Sequence, residues 1–206
     1  FDDSRKDFLH RKPIIFLRAY FGKRLLVTLG QACGIMRRMK IAMLASEVAP
    51  FAKTGGLADV AGALPKFLSQ LGLEVMVFMP LYRETKKKNF PLRQVGGNLE
   101  WTWDGKREQG SLWEHKDGPL SFIFVEKDRY FDRDYLYGTP QGDYPDNGER
   151  FAFFSRAVLE ALKLLNFRPD VIHGHDWQSA LVFAFLKHVC ADDPFFAGRA
   201  SLFTIH

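Results

Sequence analysis

Apolar residues in this chain fall into short unbroken runs that alternate with stretches of helical spacing. Lys40 to Ser46 is such a run and predicts a strand buried on both faces. A loop follows, Glu47-Val-Ala-Pro-Phe-Ala-Lys-Thr-Gly-Gly56. Leu57, Val60, Ala61, Leu64, Phe67, Leu68 and Leu71 then recur at the three-and-four spacing of one helix face, with Pro65 as a kink and Gly72 as the stop. Glu74 to Pro80 predicts a second buried strand. The three pieces make a βαβ unit with a right-handed crossover.

The middle of the chain reads differently. Tyr82 to Asn89, with Arg83, Lys86, Lys87 and Lys88, predicts a solvated loop or helix face. Leu99 to Trp103 and Gly110 to His115 flank Asp104-Gly-Lys-Arg, a hairpin signal, and Leu120 to Val125 predicts a further strand. Residues 126–150 are rich in aromatic and turn residues and predict a long loop of the kind that often carries function. Helical spacing returns from Glu149 to Leu165. A strand at Val171 to His173, a helix from about Asp176 to Val189 and a strand at Leu202 to His206 complete the pattern. The fold class is therefore α/β: a parallel sheet with an inserted β-hairpin region. A chain that stops on a parallel strand reads as incomplete, because such strands lead into site-forming loops.

Composition refines this picture in one respect. With 206 residues, 47% hydrophobic and 15% aromatic, the chain has enough material for one well-buried domain. The formal charge of +5 is concentrated in residues 1–38, which hold nine Lys and Arg against three Asp, so the remainder is close to neutral. A basic balance confined to a leader argues against nucleic acid as a partner. Met39-Lys40, just before the first strand, reads as a natural start of translation. Residues 1–38 are then a basic leader outside the domain, produced by read-through; a transit peptide is the alternative, and Tyr20 to Leu29 could form a short amphipathic segment. Cys33 and Cys190 have no CxxC spacing and suggest a reducing compartment, hence the cytoplasm. No run approaches the roughly 20 apolar residues of a membrane helix.

Two stretches carry candidate chemistry. In Lys53-Thr54-Gly55-Gly56 a glycine pair stands between a strand and a helix, where positive φ and free N–H groups are useful and the helix dipole favours an anion. Lys53 adds a full charge, although a plain tight turn would use the same glycines. The stretch His173-Gly-His175-Asp176-Trp177-Gln178 lies where a parallel strand ends and a helix begins, the ligand edge of open α/β sheets. There Gly174 keeps the backbone accessible, His175 offers a hydrogen-bond donor, and Asp176 can cap the helix. Two histidines at i and i+2 invite a metal, but no third ligand completes the set; two structural histidines are the plainer alternative. Neither GxGxxG nor GxxxxGK[ST] occurs, which disfavours a nicotinamide enzyme and a P-loop.

Taken together, Ser-Glu-x-x-Pro-x-x-Lys-Thr-Gly-Gly-Leu-Ala-Asp-Val-x-Gly-Ala-Leu-Pro (Ser46 to Pro65), Val-x-x-Pro-Leu-Tyr, Tyr-Pro-Asp-Asn-x-x-Arg-Phe, Arg-Pro-Asp-Val-Ile-His-x-His-Asp-Trp and Thr-Ile-His resemble the amino-terminal domain of bacterial glycogen synthases and starch synthases. The resemblance runs in order from about Met39 to His206. It implies the amino-terminal half of a GT-B glycosyltransferase, two facing Rossmann-like domains of which residues 39–206 are the first. It implies a retaining transferase that moves glucose from an ADP-glucose donor to the non-reducing end of an α-1,4-glucan acceptor in glycogen or starch synthesis, with no cofactor, metal, nucleic acid or membrane. By resemblance, Lys53 and the amides near Gly55 and Gly56 stabilise charge on the leaving ADP. His175 contacts the transferred glucose and Asp146 accepts from a sugar hydroxyl. Thr54, Asn147, His173, Asp176 and Trp177 complete the implied substrate-binding set. The second domain's wall of the cleft is absent from this sequence, so the fragment is expected to be inactive alone. The rival expectation, a glucan-binding or regulatory fragment, rests on Trp101, Trp103 and Trp113 as a sugar platform.

Overall fold

The computed structural model of the chain describes residues 37–103 and 105–206. The expected leader through residue 36, including Tyr20 to Leu29 and Cys33, lies outside the described residues.

Strand β1 (Lys40–Leu44) is buried from Ile41 onward and leads through the expected loop into helix α1 (Gly56–Gln70). That helix turns Leu57, Ala58, Ala61, Gly62 and Pro65 inward and runs past Pro65 without a break. Gly72, at φ 84°, ends the turn that follows it. Next come β2 (Glu74–Pro80) and a five-residue helix α2 (Arg83–Lys87). This charged segment is only partly the solvated face expected, because Tyr82 and Thr85 are buried beneath it. The hairpin is longer than expected, β3 (Arg93–Trp103) and β4 (Lys106–Asp117), and β5 (Leu120–Glu126) pairs antiparallel with β4.

The expected long loop has structure of its own. It contains α3 (Asp128–Phe131) and a two-residue ribbon, β6 (Gly138–Thr139) with β7 (Gly142–Asp143). Helix α4 (Asn147–Leu164) starts two residues earlier than its apolar spacing indicates. Then β8 (Val171–His175), α5 (Trp177–His188) and β9 (Ala200–Thr204) follow.

The seven-stranded sheet has the order β3-β4-β5-β2-β1-β8-β9, parallel from β5 to β9. The chain therefore grows from β1 toward β2 and β5, then returns to add β8 and β9 on the other side. Loops leaving β1 and β8 diverge at this reversal, the place where open α/β sheets of this topology form their ligand crevice.

The hairpin tryptophans do not form a sugar platform. Trp101 is buried with its ring centroid 5.0 Å from that of Phe153 on α4. Trp103 meets Phe185 of α5 edge-on at 5.7 Å, and Trp113 donates Nε1–H to Glu126 at 2.7 Å. Strand-spaced aromatics here clamp the extended sheet onto the helices, which is the larger gain in buried apolar area.

Candidate functional site

The β1–α1 loop leaves the sheet at the crevice. Gly55 and Gly56 stand at the start of α1, but neither has a positive φ, and a Cβ on either would meet no atom within 4 Å. One of the two expected reasons for the glycine pair, a positive φ, is thus corrected. The turn does not need their conformational freedom; the space around them is open, which lets another molecule approach the helix N-terminus.

The amides are also not all outward. The Glu47 carboxylate, almost wholly buried, accepts hydrogen bonds from Thr54 N–H, from Thr54 Oγ1 at 2.6 Å and from Gly55 N–H at 3.1 Å. Gly56, Leu57 and Ala58 supply the remaining first-turn N–H groups, which have no intrahelical acceptor. Lys53 is half-exposed, and its ammonium lies 2.7 Å from each carboxylate oxygen of Asp59 in the first turn of α1. Thr54 is therefore tied to the buried Glu47 by its amide and hydroxyl, although it is exposed like Lys53, Gly55 and Gly56.

At the end of β8, His173 and His175 are buried with ring centroids 4.0 Å apart. His173 Nε2 pairs with Thr204 Oγ1 at 2.8 Å, and His175 Nδ1 with His206 Nε2 at 3.0 Å. His175 Nε2 is buried without a partner. Burial pushes the His173 pKa down to about 4, with the positive charge of His206 acting the same way. Burial, followed by the charges of His173 and His206, pushes His175 down to about 3. Both rings are therefore neutral near pH 7. A neutral His175 can still present Nε2 to a polar ligand atom as donor or acceptor, according to tautomer.

Two expectations for this turn are corrected. Gly174 does not keep the backbone open to a ligand: a Cβ there would sit 2.8 Å from Ser179 Oγ and 2.9 Å from Phe183, so the glycine makes room for α5. Asp176 precedes α5 at φ 56° but makes no side-chain cap; its Oδ1 accepts from His206 N at 2.7 Å. Ser179 Oγ instead donates to the carbonyls of His175 and Asp176.

Asp146 is engaged from both carboxylate oxygens by Arg133, at 2.8 and 2.5 Å, which holds its carboxyl below the usual range. Asn147 bridges inward, donating Nδ2 to the Tyr137 carbonyl and accepting from Arg150 Nη1 at 2.6 Å. Trp177 is half-exposed and packs edge-on against Phe151 at 5.2 Å.

Three residues that were not among the expected site residues hold these parts together. Tyr137 donates its hydroxyl to Glu47 at 2.7 Å, bonds Ser46 Oγ at 2.7 Å and lies 6.4 Å from the Trp177 ring. It touches the β1–α1 loop, the 126–147 segment and α5. Glu47 anchors the loop from inside. Arg150, fully buried, donates to the carbonyls of Tyr130 at 2.7 Å and Leu136 at 2.9 Å and faces the rings of Phe131, Tyr144 and Phe151. The sequence did carry Arg150, as the Arg of the Tyr-Pro-Asp-Asn-x-x-Arg-Phe motif, but gave it no role.

The fold is a doubly wound α/β sheet with a lysine, open glycines and a helix N-terminus at its reversal point, an arrangement whose dipole and free N–H groups favour an anion. The chain belongs to the starch synthase catalytic domain family, whose model matches residues 40–206. It is 52% identical over 168 residues to Glycogen synthase 2 of Geobacter sulfurreducens, and 51% identical over 170 residues to the glycogen synthase of Koribacter versatilis, covering 82% of this chain in each case. It spans 35% and 34% of the length of these two relatives. The catalytic domain of starch synthase IV from Arabidopsis thaliana, bound to ADP and acarbose, superposes with a TM-score of 0.71 at 30% identity over 82% of this chain and 34% of that one. The fold expectation of a Rossmann-like GT-B half agrees with this neighbour. No described helix is long and apolar enough to cross a membrane.

Proposed function

We propose that residues 39–206 form the donor-binding amino-terminal domain of a cytoplasmic, retaining glucosyltransferase that moves glucose from ADP-glucose to the non-reducing end of an α-1,4-glucan. The observation that carries this reading is the open approach at Gly55 and Gly56 beside Lys53, on the crevice side of α1. A diphosphate there gains the Lys53 charge, the Gly56 and Leu57 N–H groups and the helix dipole, all fixed before the reaction begins. The glycogen synthase relatives and the ADP-bound starch synthase neighbour support the nucleotide and the acceptor.

In this reading charge develops on the departing ADP and is met by Lys53. The orphan His175 Nε2 bonds a hydroxyl of the transferred glucose, with the ring neutral so that it orients the sugar without competing for a proton. Asp146 accepts from a second hydroxyl after sharing its carboxylate with Arg133, and Trp177 offers an apolar ring beside it. His173, Asp176 and Asn147 act at one remove, holding backbone and neighbouring side chains. Residues 39–206 supply one wall of the cleft in this reading, and by themselves they bind ADP weakly and transfer no glucose.

The test is a chimera in which residues 39–206 replace the matching segment of the Geobacter sulfurreducens glycogen synthase. Glucose incorporation from ADP-glucose into glycogen is expected. A folded chimera that extends no glucan, while its unmodified parent does, overturns the proposal.

A further inference from the structure

We infer that Glu47 is the positioning residue that sets the donor loop, a reading that rests on the phosphate-binding role proposed above. A buried carboxylate is costly unless its lone pairs are matched by donors. Glu47 is 3% exposed, and its hydrogen bonds come from the Thr54 amide and hydroxyl, the Gly55 amide and the Tyr137 hydroxyl. All four donors are neutral. Both carboxylate oxygens are matched by donors only while the loop is wrapped around them, and the loop is held in one orientation by the same bonds.

That orientation divides the backbone donors between two tasks. Thr54 and Gly55 N–H are used internally, so Gly56 N–H and the rest of the first turn of α1 are left for an incoming anion, beside Lys53. An uncharged acceptor could not do this equally well. Gln at position 47 has one oxygen for what are now two, and its NH2 would confront either the Thr54 and Gly55 amides, which cannot accept, or the Thr54 and Tyr137 hydroxyls, which would have to turn from donor to acceptor. The Tyr137 bond extends the effect. Its hydroxyl and that of Thr54 share Oε1 of Glu47, so the segment leading to Asp146 and Asn147 is tied to the loop that meets the phosphates.

The experiment uses the 206-residue chain, with ADP as the probe, in wild type, E47Q, E47D and Y137F. Amide hydrogen exchange at Thr54 and Gly55 is followed by NMR together with the ADP dissociation constant read from the Gly56 and Leu57 amides. In wild type the Thr54 and Gly55 amides exchange slowly. In E47Q their exchange accelerates at least about tenfold, ADP binding weakens by about the same factor, and Met43 and Leu44 in β1 are unchanged. E47D restores part of both effects. Y137F leaves Thr54 and Gly55 protected but speeds exchange at Asn147. If E47Q does not fold, T54V, which removes one donor and keeps both amides, carries the test with a smaller shift in the same direction. Equal exchange at Thr54 and Gly55 in wild type and E47Q overturns the inference, as does lost protection with unaltered ADP affinity. Wild type that shows no ADP response sinks the donor reading instead, and the exchange contrast still decides whether Glu47 sets the loop.

Discussion

The Lys53 ammonium sits midway between the two carboxylate oxygens of Asp59, 2.7 Å from each, with both side chains more than half exposed. An exposed pair of this kind is worth about 0.5 kcal/mol, so Lys53 can exchange its partner for a diphosphate at little cost. K53M should leave the unfolding free energy in urea within about 0.5 kcal/mol of wild type and weaken ADP binding about tenfold, a loss of ~1.4 kcal/mol. Calorimetric titration with ADP checks it, and unchanged affinity would remove Lys53 from the site.

Gly62 lies on the buried side of α1, where an added Cβ would fall 2.5 Å from the Ala49 carbonyl oxygen. Alanine ordinarily gains about 1 kcal/mol over glycine inside a helix. Here the obstructing atom is backbone, itself tied in the loop by the bond from Ala49 N to the Ala58 carbonyl. G62A should therefore destabilise by about 2 kcal/mol in urea unfolding, against the helix-propensity trend. A neutral or stabilising result would show that the loop yields.

Arg150 spends its guanidinium on two carbonyls and the Asn147 side chain, away from water. Lysine keeps the charge but cannot reach three acceptors with one ammonium. R150K should cost about 3 kcal/mol, because carbonyls of Tyr130 and Leu136 are left unpaired, and limited proteolysis should cut first between residues 128 and 146. Melting curves and the mapped cleavage sites read both effects. Cleavage elsewhere would mean that Arg150 does not hold this segment.

His173 and His175 make stability depend on acid. Their folded pKa values, about 4 and about 3, lie below the ordinary value near 6.5, so the unfolded chain binds more protons between these limits. Their contribution is full above pH 6.5 and is lost as pH falls toward 4 and then 3. Imidazole proton shifts followed from pH 8 to 3 should show two rings that titrate only at the acid end. Titration of both near 6.5 would contradict the burial that keeps them neutral.

The parallel strands were legible because burial on both faces leaves a continuous apolar run, as in Ile41 to Ala45 and Val75 to Met79, and α1 because one face repeats at helical spacing. The lysine-glycine loop and the two histidines were legible as types at the ends of strands. What local pattern does not encode is which way a donor or carboxylate turns. Glu47 and Tyr137 meet across 90 positions of sequence, so nothing in either neighbourhood announces the bond. Asp176 has the residue type of a cap, yet the approach of β9 diverts its carboxylate to the His206 amide. Gly174 is small for packing rather than access, and the Gly55-Gly56 pair keeps its expected access but not its expected positive φ.

The hairpin of β3 and β4 sits on the far side of β5 and β2 from the crevice, and its turn carries Gly105 at φ 70° with nothing within 4 Å of a Cβ placed there. Two strands, β5 and β2, lie between this hairpin and β1 in the order of the sheet. That makes the tip a mounting point: a fluorophore, an affinity tag or a short graft after Gly105 reports on or recruits the molecule without entering the crevice.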